Sequence, residues 1–403
     1  TNDVVDHDIL RPDRVEDPYG YFAHMRANDP VHWNEHYRAW FVYRYDDVMS
    51  ALRNPALSSD RVRPIFETKL SAQQQRERKP TFDILGNWMV FMDPPEHTRL
   101  RKMVMPAFAP KAVAAMRPRV EEVVRQTLDE VAGRTELDLV TDVAYPIPAV
   151  VIAELMGVPS RDRDLFKQWS DQILILIFGA QGVAGRRAEA QRGLTDLRDY
   201  LRGLIDRFRR EPSDNLISAL INAEGDNPLT DDEIVSTCVL LVFGGHETTT
   251  NLIGNGLALL HDFPDQRARL LADPGLIAPA VEEFLRFRSP NQLGNRETTA
   301  AVEIGGERIA PGTNLHLCIG AANRDPAVFE DPGRLDIARK PNRHLAFAGG
   351  PHVCVGLTLA RMEGRIAIAR LLARFPDYRI GEDRALGGRL RFRGYDRLPA
   401  VLA

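Results

Sequence analysis

The sequence predicts a mainly α fold with a small β region. Between about Asp93 and Arg288, apolar residues recur at spacings of three and four, which is the period of an amphipathic helix. Shorter segments on either side are rich in aromatic and branched residues, as strands are. Of the 403 residues, 44% are hydrophobic and 27% are charged, and these values exclude a disordered or collagen-like chain.

The predicted elements follow one another along the chain. Strands are expected at residues 38–45, 314–319 and 389–393, and in a hairpin over 301–309. The hairpin turns at Gly305 and Gly306, because paired glycines suit a tight turn. Helices are expected at 118–131, 197–209, 231–261, 278–288 and 355–375. The polar stretch 73–80 is expected to be an exposed loop.

Charge and cysteine content exclude several classes of protein. The 52 Lys and Arg residues are offset by 56 Asp and Glu, a net charge of −4, which argues against nucleic acid or an anionic membrane as a partner. No apolar run approaches the roughly 20 residues of a membrane span, and the first ten residues lack a signal-peptide core, so we expect a cytoplasmic protein. Three widely spaced cysteines fit neither a disulfide scaffold nor a zinc ribbon. Length alone suggests two or three domains of roughly 150 residues each.

A glycine-rich segment, Phe347-Ala-Gly-Gly-Pro-His-Val-Cys-Val-Gly356, precedes the last predicted helix. Backbone N–H groups and the helix dipole favour negative charge there. The thiolate form of Cys354, which can bind a metal or attack a substrate, is therefore expected to be favoured. The glycines leave room for a flat, bulky group to approach the backbone. A buried cysteine beside a helix cap is the structural alternative, and a catalytic nucleophile, which needs a positioned base, is a third.

The predicted helix 231–261 contains a locally unfavourable segment. Thr230 and Glu233 form a capping-box pattern at its start, and about 30 residues at 1.5 Å each make a helix of roughly 45 Å. In its middle lies Phe243-Gly-Gly-His-Glu-Thr-Thr-Thr250, where glycines and threonines weaken a helix. Such inconsistency tends to mark function. The alternative is a tight helix crossing with Glu247 in a salt bridge.

Two further segments combine acidic and basic residues. Asp93 as N-cap and Pro94 at the first position predict a helix start, which places His97 and Arg101 on one face. These two cations either bind a buried carboxylate or phosphate or belong to a solvated basic surface. Spacing of three in Glu283-Phe-Leu-Arg286 predicts an ion pair within one helix, a common feature that carries little weight by itself.

In this order and spacing, the four segments resemble the soluble bacterial members of the cytochrome P450 family. The resemblance covers nearly the whole chain and implies one triangular, helix-rich prism over residues 1–403 that encloses a haem. A single domain over 1–403 replaces the two or three domains that the length alone suggests, and no fused reductase or ferredoxin domain is expected. It also makes Cys354 the axial thiolate ligand of the iron of haem b. The other cofactor contacts implied are His97, Arg101, Arg296, Phe347, Gly350, His352 and Gly356, of which His97, Arg101, Arg296 and His352 match the partners of the haem propionates.

The resemblance also implies a reaction: two electrons and two protons activate dioxygen, and one oxygen atom enters a small-to-medium hydrophobic substrate. Glu247 and Thr248 match the acid–alcohol pair that handles dioxygen, with the threonine holding the oxygen group and the acid delivering protons. Ala348 departs from the glycine usual in the family. The implied structural ion-pair cluster is Glu283, Arg286 and Arg334. The implied substrate pocket includes the segment 88–91 with Val90, and also Leu240, Phe243, Gly244 and Leu293.

The implied electron donors are an external ferredoxin and its NAD(P)H-dependent reductase. An acidic ferredoxin is expected to dock on a basic surface, for which the candidates are Arg99, Lys102, Arg343 and Arg361. A haem-thiolate enzyme that uses peroxide, or that needs no external electrons, is the first alternative. Glu247 and Thr248 argue against it, because such chemistry needs no proton delivery to dioxygen. A non-enzymatic haem sensor is the second.

Overall fold

A computed structural model describes residues 6–178, 184–225 and 227–402. The chain divides into two compact units. The first unit consists of Thr1–Ser58, Val124–Pro146 and Thr248–Ala403, and the second of Ser59–Val123 and Ile147–Glu247. The expectation of a single domain over 1–403 stays a prediction.

Helices dominate the described residues, as predicted. They are α1 (Pro12–Glu16), α2 (Tyr19–Asn28), α3 (Tyr45–Arg53), α4 (Arg63–Thr68), α5 (Ala72–Leu85), α6 (Glu96–Val104), α7 (Pro110–Val131), α8 (Pro146–Leu155), α9 (Arg163–Phe178), α10 (Ala184–Arg210), α11 (Leu216–Ile221), α12 (Asp231–Asp262), α13 (Pro264–Ala272), α14 (Ile277–Phe287), α15 (Ile319–Ala322) and α16 (Leu357–Arg374). None of the helices in the described ranges is both long enough and apolar enough to cross a membrane.

The strands form a small β region in the first unit. They are β1 (Val31–Asn34), β2 (Ala39–Val42), β3 (Leu57–Ser58), β4 (Leu137–Asp138), β5 (Leu293–Thr298), β6 (Val302–Ile304), β7 (Glu307–Ile309), β8 (Asn314–Cys318), β9 (Arg379–Ile380), β10 (Ala385–Leu386), β11 (Tyr395–Arg397) and β12 (Pro399–Val401). The largest sheet has the order β1-β2-β8-β5-β3, in which β2 and β8 pair in parallel. The predicted hairpin is confirmed as β6–β7, and both turn residues, Gly305 and Gly306, have positive φ.

Helix α12 begins where the capping box predicts. The Glu233 N–H donates to Thr230 Oγ1 (3.2 Å), and the Thr230 N–H donates to Glu233 Oε2 (2.9 Å). The two side chains thus satisfy two backbone N–H groups that the start of the helix would otherwise leave unpaired. The helix then runs 32 residues to Asp262.

Two predicted elements were wrong. Residues 73–80 belong to helix α5, which Ser71 and Gln74 start with a reciprocal capping box and which contains Pro80. A polar composition does not distinguish a solvent-exposed helix from a loop. The capping box of Ser71 and Gln74 is the local signal that favours the helix. Residues 389–393 form no strand, and Phe392 makes one isolated β-bridge to Asn291. Because Arg393 is buried, the alternation of polar and apolar residues does not separate a solvent-exposed face from a buried one.

Candidate active site

The loop that carries Cys354 is a tight turn between a short 3-10 helix, Gly350–His352, and α16. The Cys354 N–H donates to the Phe347 carbonyl (2.9 Å), which closes the loop. Gly350 has φ +68°, and a Cβ there would lie 2.4 Å from the Leu52 carbonyl oxygen. Only glycine fits that position, so the glycine-rich sequence is required by the backbone itself.

Cys354 differs from the other two cysteines in exposure. Cys238 and Cys318 are fully buried, and burial raises the pKa of Cys238 to about 12 and that of Cys318 well above its usual value. Buried thiols of this kind stay protonated and inert. Cys354 is partly exposed at the start of α16, which makes it the accessible thiol among the described cysteines.

Ala348 adopts the left-handed conformation, with φ +60°. A Cβ in that region clashes with the following carbonyl and costs about 1–2 kcal/mol. We therefore expect Ala348→Gly to raise the free energy of unfolding by about 0.5–1 kcal/mol, after the extra entropy of glycine in the unfolded chain is subtracted. Denaturant titration of the haem-loaded protein measures the change. Ala346→Gly, two residues earlier at negative φ, is the matched control and should destabilise; a loss of stability in both variants would contradict the strain at Ala348.

Phe347 is held by a charged network that the sequence did not reveal. The Arg361 guanidinium lies 4.8 Å from the centre of the Phe347 ring and donates two hydrogen bonds to Glu282 (2.8 and 2.9 Å). His344 Nε2 and Arg365 also contact this carboxylate, at 2.8 and 3.4 Å. Burial alone would raise the pKa of Glu282, but the hydrogen bonds from His344 and Arg361 lower it to about 2. The network ties α14, α16 and the Cys354 loop together.

The predicted propionate partners lie in both units. In the first unit, Arg296 is buried on β5, where its Nη1 donates to the Asn295 carbonyl (2.8 Å), and His352 is partly exposed at the end of the short helix. In the second unit, His97 is buried on α6 and Arg101, one turn later, is partly buried.

The predicted N-cap of this helix was wrong. Helix α6 begins at Glu96 with Pro95 at the cap position. Asp93 lies before it, and its carboxylate accepts a hydrogen bond from the Ser59 N–H (2.8 Å) instead. The side chain therefore fixes a neighbouring segment of the second unit and does not cap the helix.

The middle of α12 presents one open face. Gly244, Glu247 and Thr248 follow at the i, i+3, i+4 spacing of a single helix face, and all three are at least partly exposed, whereas His246 and Thr249 are buried. A Cβ built on Gly244 would meet no atom within 4 Å. The helix surface at Gly244 is therefore open, and the acid Glu247 and the alcohol Thr248 lie one turn further along the same face.

An aromatic set lies beside this face within the second unit. Trp88 stacks on Phe243 with ring centres 5.5 Å apart, and on Phe91 at 5.9 Å. The Arg61 guanidinium lies 5.1 Å from the centre of the Phe91 ring. Sequence analysis assigned Phe243 and the segment 88–91 to one pocket, but it did not predict the stack itself, which joins residues more than 150 positions apart.

The other residues assigned to the substrate pocket are placed differently. Val90 is 40% exposed in the 3-10 helix Met89–Phe91, and Leu240 is buried on α12. Leu293 is buried at the start of β5 in a hydrophobic core cluster of the first unit, with Phe22 and Phe41.

The predicted ion pair between Glu283 and Arg286 is present and fully buried, at 2.7 Å. The third member was wrong: Arg339, not Arg334, contacts Glu283 (3.2 Å). The Arg334 side chain is exposed, and its carbonyl accepts hydrogen bonds from Arg286 and Arg339 (3.1 Å each).

The sequence profile of the cytochrome P450 family matches residues 56–273 and 276–376. The chain belongs to the cytochrome P450 family. Cytochrome P450 107B1 of Saccharopolyspora erythraea is 43% identical to it over 90% of this chain and 88% of that protein. The 6-deoxyerythronolide B hydroxylase of the same organism is 38% identical over 90% of both chains. The crystal structure of P450BioI with an acyl carrier protein that carries hexadec-9Z-enoic acid is 33% identical, with a TM-score of 0.89 over 97% of this chain and 100% of that one.

This P450 is therefore a monooxygenase that binds haem b. Its residues fit the cofactor. The first unit offers one accessible thiol on a glycine-rich loop, the chemistry of an axial thiolate ligand, and the buried cation Arg296, which suits a carboxylate. Gly356, between Cys354 and α16, has no atom within 4 Å of a built Cβ, so the backbone there is open to a flat group.

Proposed function

We propose that this P450 uses dioxygen and two externally supplied electrons to hydroxylate, or similarly oxidise, a small-to-medium hydrophobic substrate. Substrate, dioxygen, two electrons and two protons give the oxidised product and one water. The observation that carries the proposal is the open face of α12, where Glu247 and Thr248 are both accessible beside Gly244. An acid next to an alcohol is suited to proton delivery, which dioxygen requires and peroxide does not.

Each residue of the site has an assigned role in this proposal. Cys354 would hold the haem iron through its thiolate, and the haem would supply the redox chemistry that cleaves the O–O bond. The Thr248 hydroxyl donates a hydrogen bond to the oxygen group, and the Glu247 carboxylate transfers protons towards it. His97, Arg101, Arg296 and His352 bind the propionates, and Phe347, Gly350 and Gly356 pack along the cofactor. Arg296, a buried cation of this set, gains a counter-charge by that contact.

The stack of Trp88, Phe91 and Phe243 supports a hydrophobic substrate, because aromatic faces bury large apolar areas. The relative named 6-deoxyerythronolide B hydroxylase supports hydroxylation as the reaction. We include Val90, Leu240, Gly244 and Leu293 in the proposed pocket on the resemblance alone.

We propose a ferredoxin and its NAD(P)H-dependent reductase as electron donors. Two of the four basic candidates for the docking surface are already engaged, since Arg99 pairs with Glu233 and Arg361 with Glu282. Lys102 and Arg343 are exposed and stay candidates. Turnover assayed with NADH, ferredoxin and reductase, and separately with hydrogen peroxide alone, tests the electron source. Product from peroxide alone, with none from the reconstituted chain, would overturn it.

Thr248→Ala tests proton handling. We expect normal haem binding and continued NADH oxidation, but about tenfold less product per NADH, with the electrons diverted to peroxide or water. That loss is below the ~10²–10⁴-fold that acid–base groups typically contribute. Product, NADH and peroxide are measured together. Thr250→Ala, two residues along α12 and buried, is the matched control and should keep normal coupling. Equal coupling in Thr248→Ala and the wild type would remove Thr248 from the mechanism.

A further inference from the structure

A groove with a volume of about 920 Å³ lies in the first unit. Its walls come from the N-terminal segment, the ends of α12 and α14, and the strands β10 and β11, and they include the rings of Tyr19, Phe263, Phe287 and Tyr395. This volume falls within the range of small-molecule sites, which are commonly apolar with a few fixed polar groups. None of the residues assigned above to the haem or to dioxygen is among its described lining residues.

Arg324 is fixed in one wall of the groove between two aromatic rings. Its guanidinium carbon lies 3.5 Å from the centre of the Tyr19 ring and 3.9 Å from that of Phe287. The Nε and Nη2 atoms donate to the Phe287 carbonyl, at 3.1 and 2.5 Å. The guanidinium is held rigidly by a carbonyl dipole and two ring faces, none of which carries a full negative charge.

Two more arginines in the groove also donate their hydrogen bonds to uncharged acceptors. Arg288 donates from Nη1 to the Tyr395 hydroxyl (2.7 Å), and Arg393, 4% exposed, donates from Nη1 to the Val15 carbonyl (2.5 Å) and from Nη2 to the Glu16 carbonyl. The Nε atoms of Arg288 and Arg393 are buried and have no hydrogen-bond partner among the described residues. We call Arg288, Arg324 and Arg393 the arginine trio.

The arginine trio has no carboxylate in ion-pair contact within the described part of the chain. Arg384, in the same groove, differs because it pairs with Asp262 at 2.7 Å. Burial lowers the pKa of Arg324 to about 10; repulsion from Arg286 and Arg288 adds to the shift, and attraction from Tyr19 and Asp17 opposes it. Partly desolvated guanidinium groups whose hydrogen-bond partners are all uncharged favour an anion as a further partner.

We propose that the groove binds a monoanionic amphiphile, with a carboxylate or phosphodiester head group on the arginine trio and an apolar body against the ring faces. Rigid guanidinium groups donate paired hydrogen bonds to both head groups. Glu16, Asp17 and Glu382 are exposed at the groove and disfavour a ligand with several negative charges. The site is independent of the proposed oxidation.

The test uses the haem-loaded protein at neutral pH with octanoate and methyl octyl phosphate, both monoanions, as probes, octanol as the uncharged analogue, and sodium chloride at matched ionic strength. Isothermal titration calorimetry and the melting temperature report binding. The haem absorbance spectrum is recorded in every titration and identifies binding near the cofactor. We expect saturable binding of at least one charged probe and none of octanol at the groove. Binding of either probe supports the site, and binding of one alone also identifies the head group. Binding of neither probe would overturn the proposal.

Arg288→Gln is the test variant, and Arg397→Gln, an exposed arginine that pairs with Asp383, is its matched control. Loss of one charge-assisted hydrogen bond should weaken binding about tenfold in Arg288→Gln and leave Arg397→Gln unchanged. Arg288→Lys keeps the positive charge, so its affinity for the probe should fall less. It replaces Arg288→Gln as the test variant if Arg288→Gln does not fold. Unchanged affinity in both Arg288 variants, equal weakening in Arg397→Gln, or stabilisation reproduced by chloride would overturn the proposal.

Discussion

Replacing Cys354 by alanine is expected to abolish monooxygenase turnover and the thiolate-type band of the reduced carbonyl spectrum. The loop around Cys354 is closed by a backbone hydrogen bond and shaped by Gly350, so the fold should survive the change. Without the sulfur no side chain at that position can ligate iron, and the electron donation that favours O–O cleavage is lost. The reduced carbonyl difference spectrum, far-ultraviolet circular dichroism and product formation measure the three consequences.

Cys238→Ala is the matched control for that variant. Its thiol is fully buried and protonated, so the substitution should leave the carbonyl band in place. A thiolate-type band that persists in folded, haem-loaded Cys354→Ala would make the ligand assignment wrong. Loss of the band in Cys238→Ala alone would transfer the assignment to α12.

Where a local signal dictates the structure, the sequence was sufficient. The capping box of Thr230 and Glu233 set the start of α12, and paired glycines set the β6–β7 turn. Both depend on residues within four positions of each other, so no distant contact can easily override them. The Cys354 loop is an intermediate case. The positive φ of Gly350 is a local signal, but the Leu52 carbonyl that also excludes a side chain there lies almost 300 positions away.

Where distant residues decide, the sequence was insufficient. Spacing of three predicts that Glu283 faces Arg286, but it cannot tell whether Arg334 or Arg339 completes the cluster, since each lies about 50 residues away. The network at Glu282 is of the same kind: its partners His344 and Arg361 are 62 and 79 positions away. No periodicity relates such residues, because only the packing of α14, α16 and the loops brings them together.

Glu283→Gln is expected to cause the largest loss of stability. The Glu283 carboxylate accepts hydrogen bonds from Arg286 (2.7 and 2.8 Å), Arg339 (3.2 Å), the amide of Asn342 (3.1 Å) and the Asp336 N–H (3.0 Å). Its neutral analogue keeps the volume but leaves the fully buried charge of Arg286 uncompensated, which typically costs about 3–5 kcal/mol. Against a total of about 5–15 kcal/mol, that loss is expected to deplete folded, haem-loaded protein.

Denaturant titration together with haem content per chain measures this loss, and two arginine variants assign its source. Arg339→Gln removes a direct partner of Glu283 and should destabilise clearly, whereas Arg334→Gln alters an exposed side chain and should stay within about 0.5 kcal/mol of the wild type. The reverse order would restore Arg334 to the cluster. Near-normal stability of Glu283→Gln would mean that the carbonyls of Asn323, Pro332 and Arg334, which also accept from Arg286, suffice to hold its charge. All donors of the cluster share the Glu283 carboxylate. If the cluster acts as a unit, Glu283→Gln lowers the free energy of unfolding more than the removal of any single donor does.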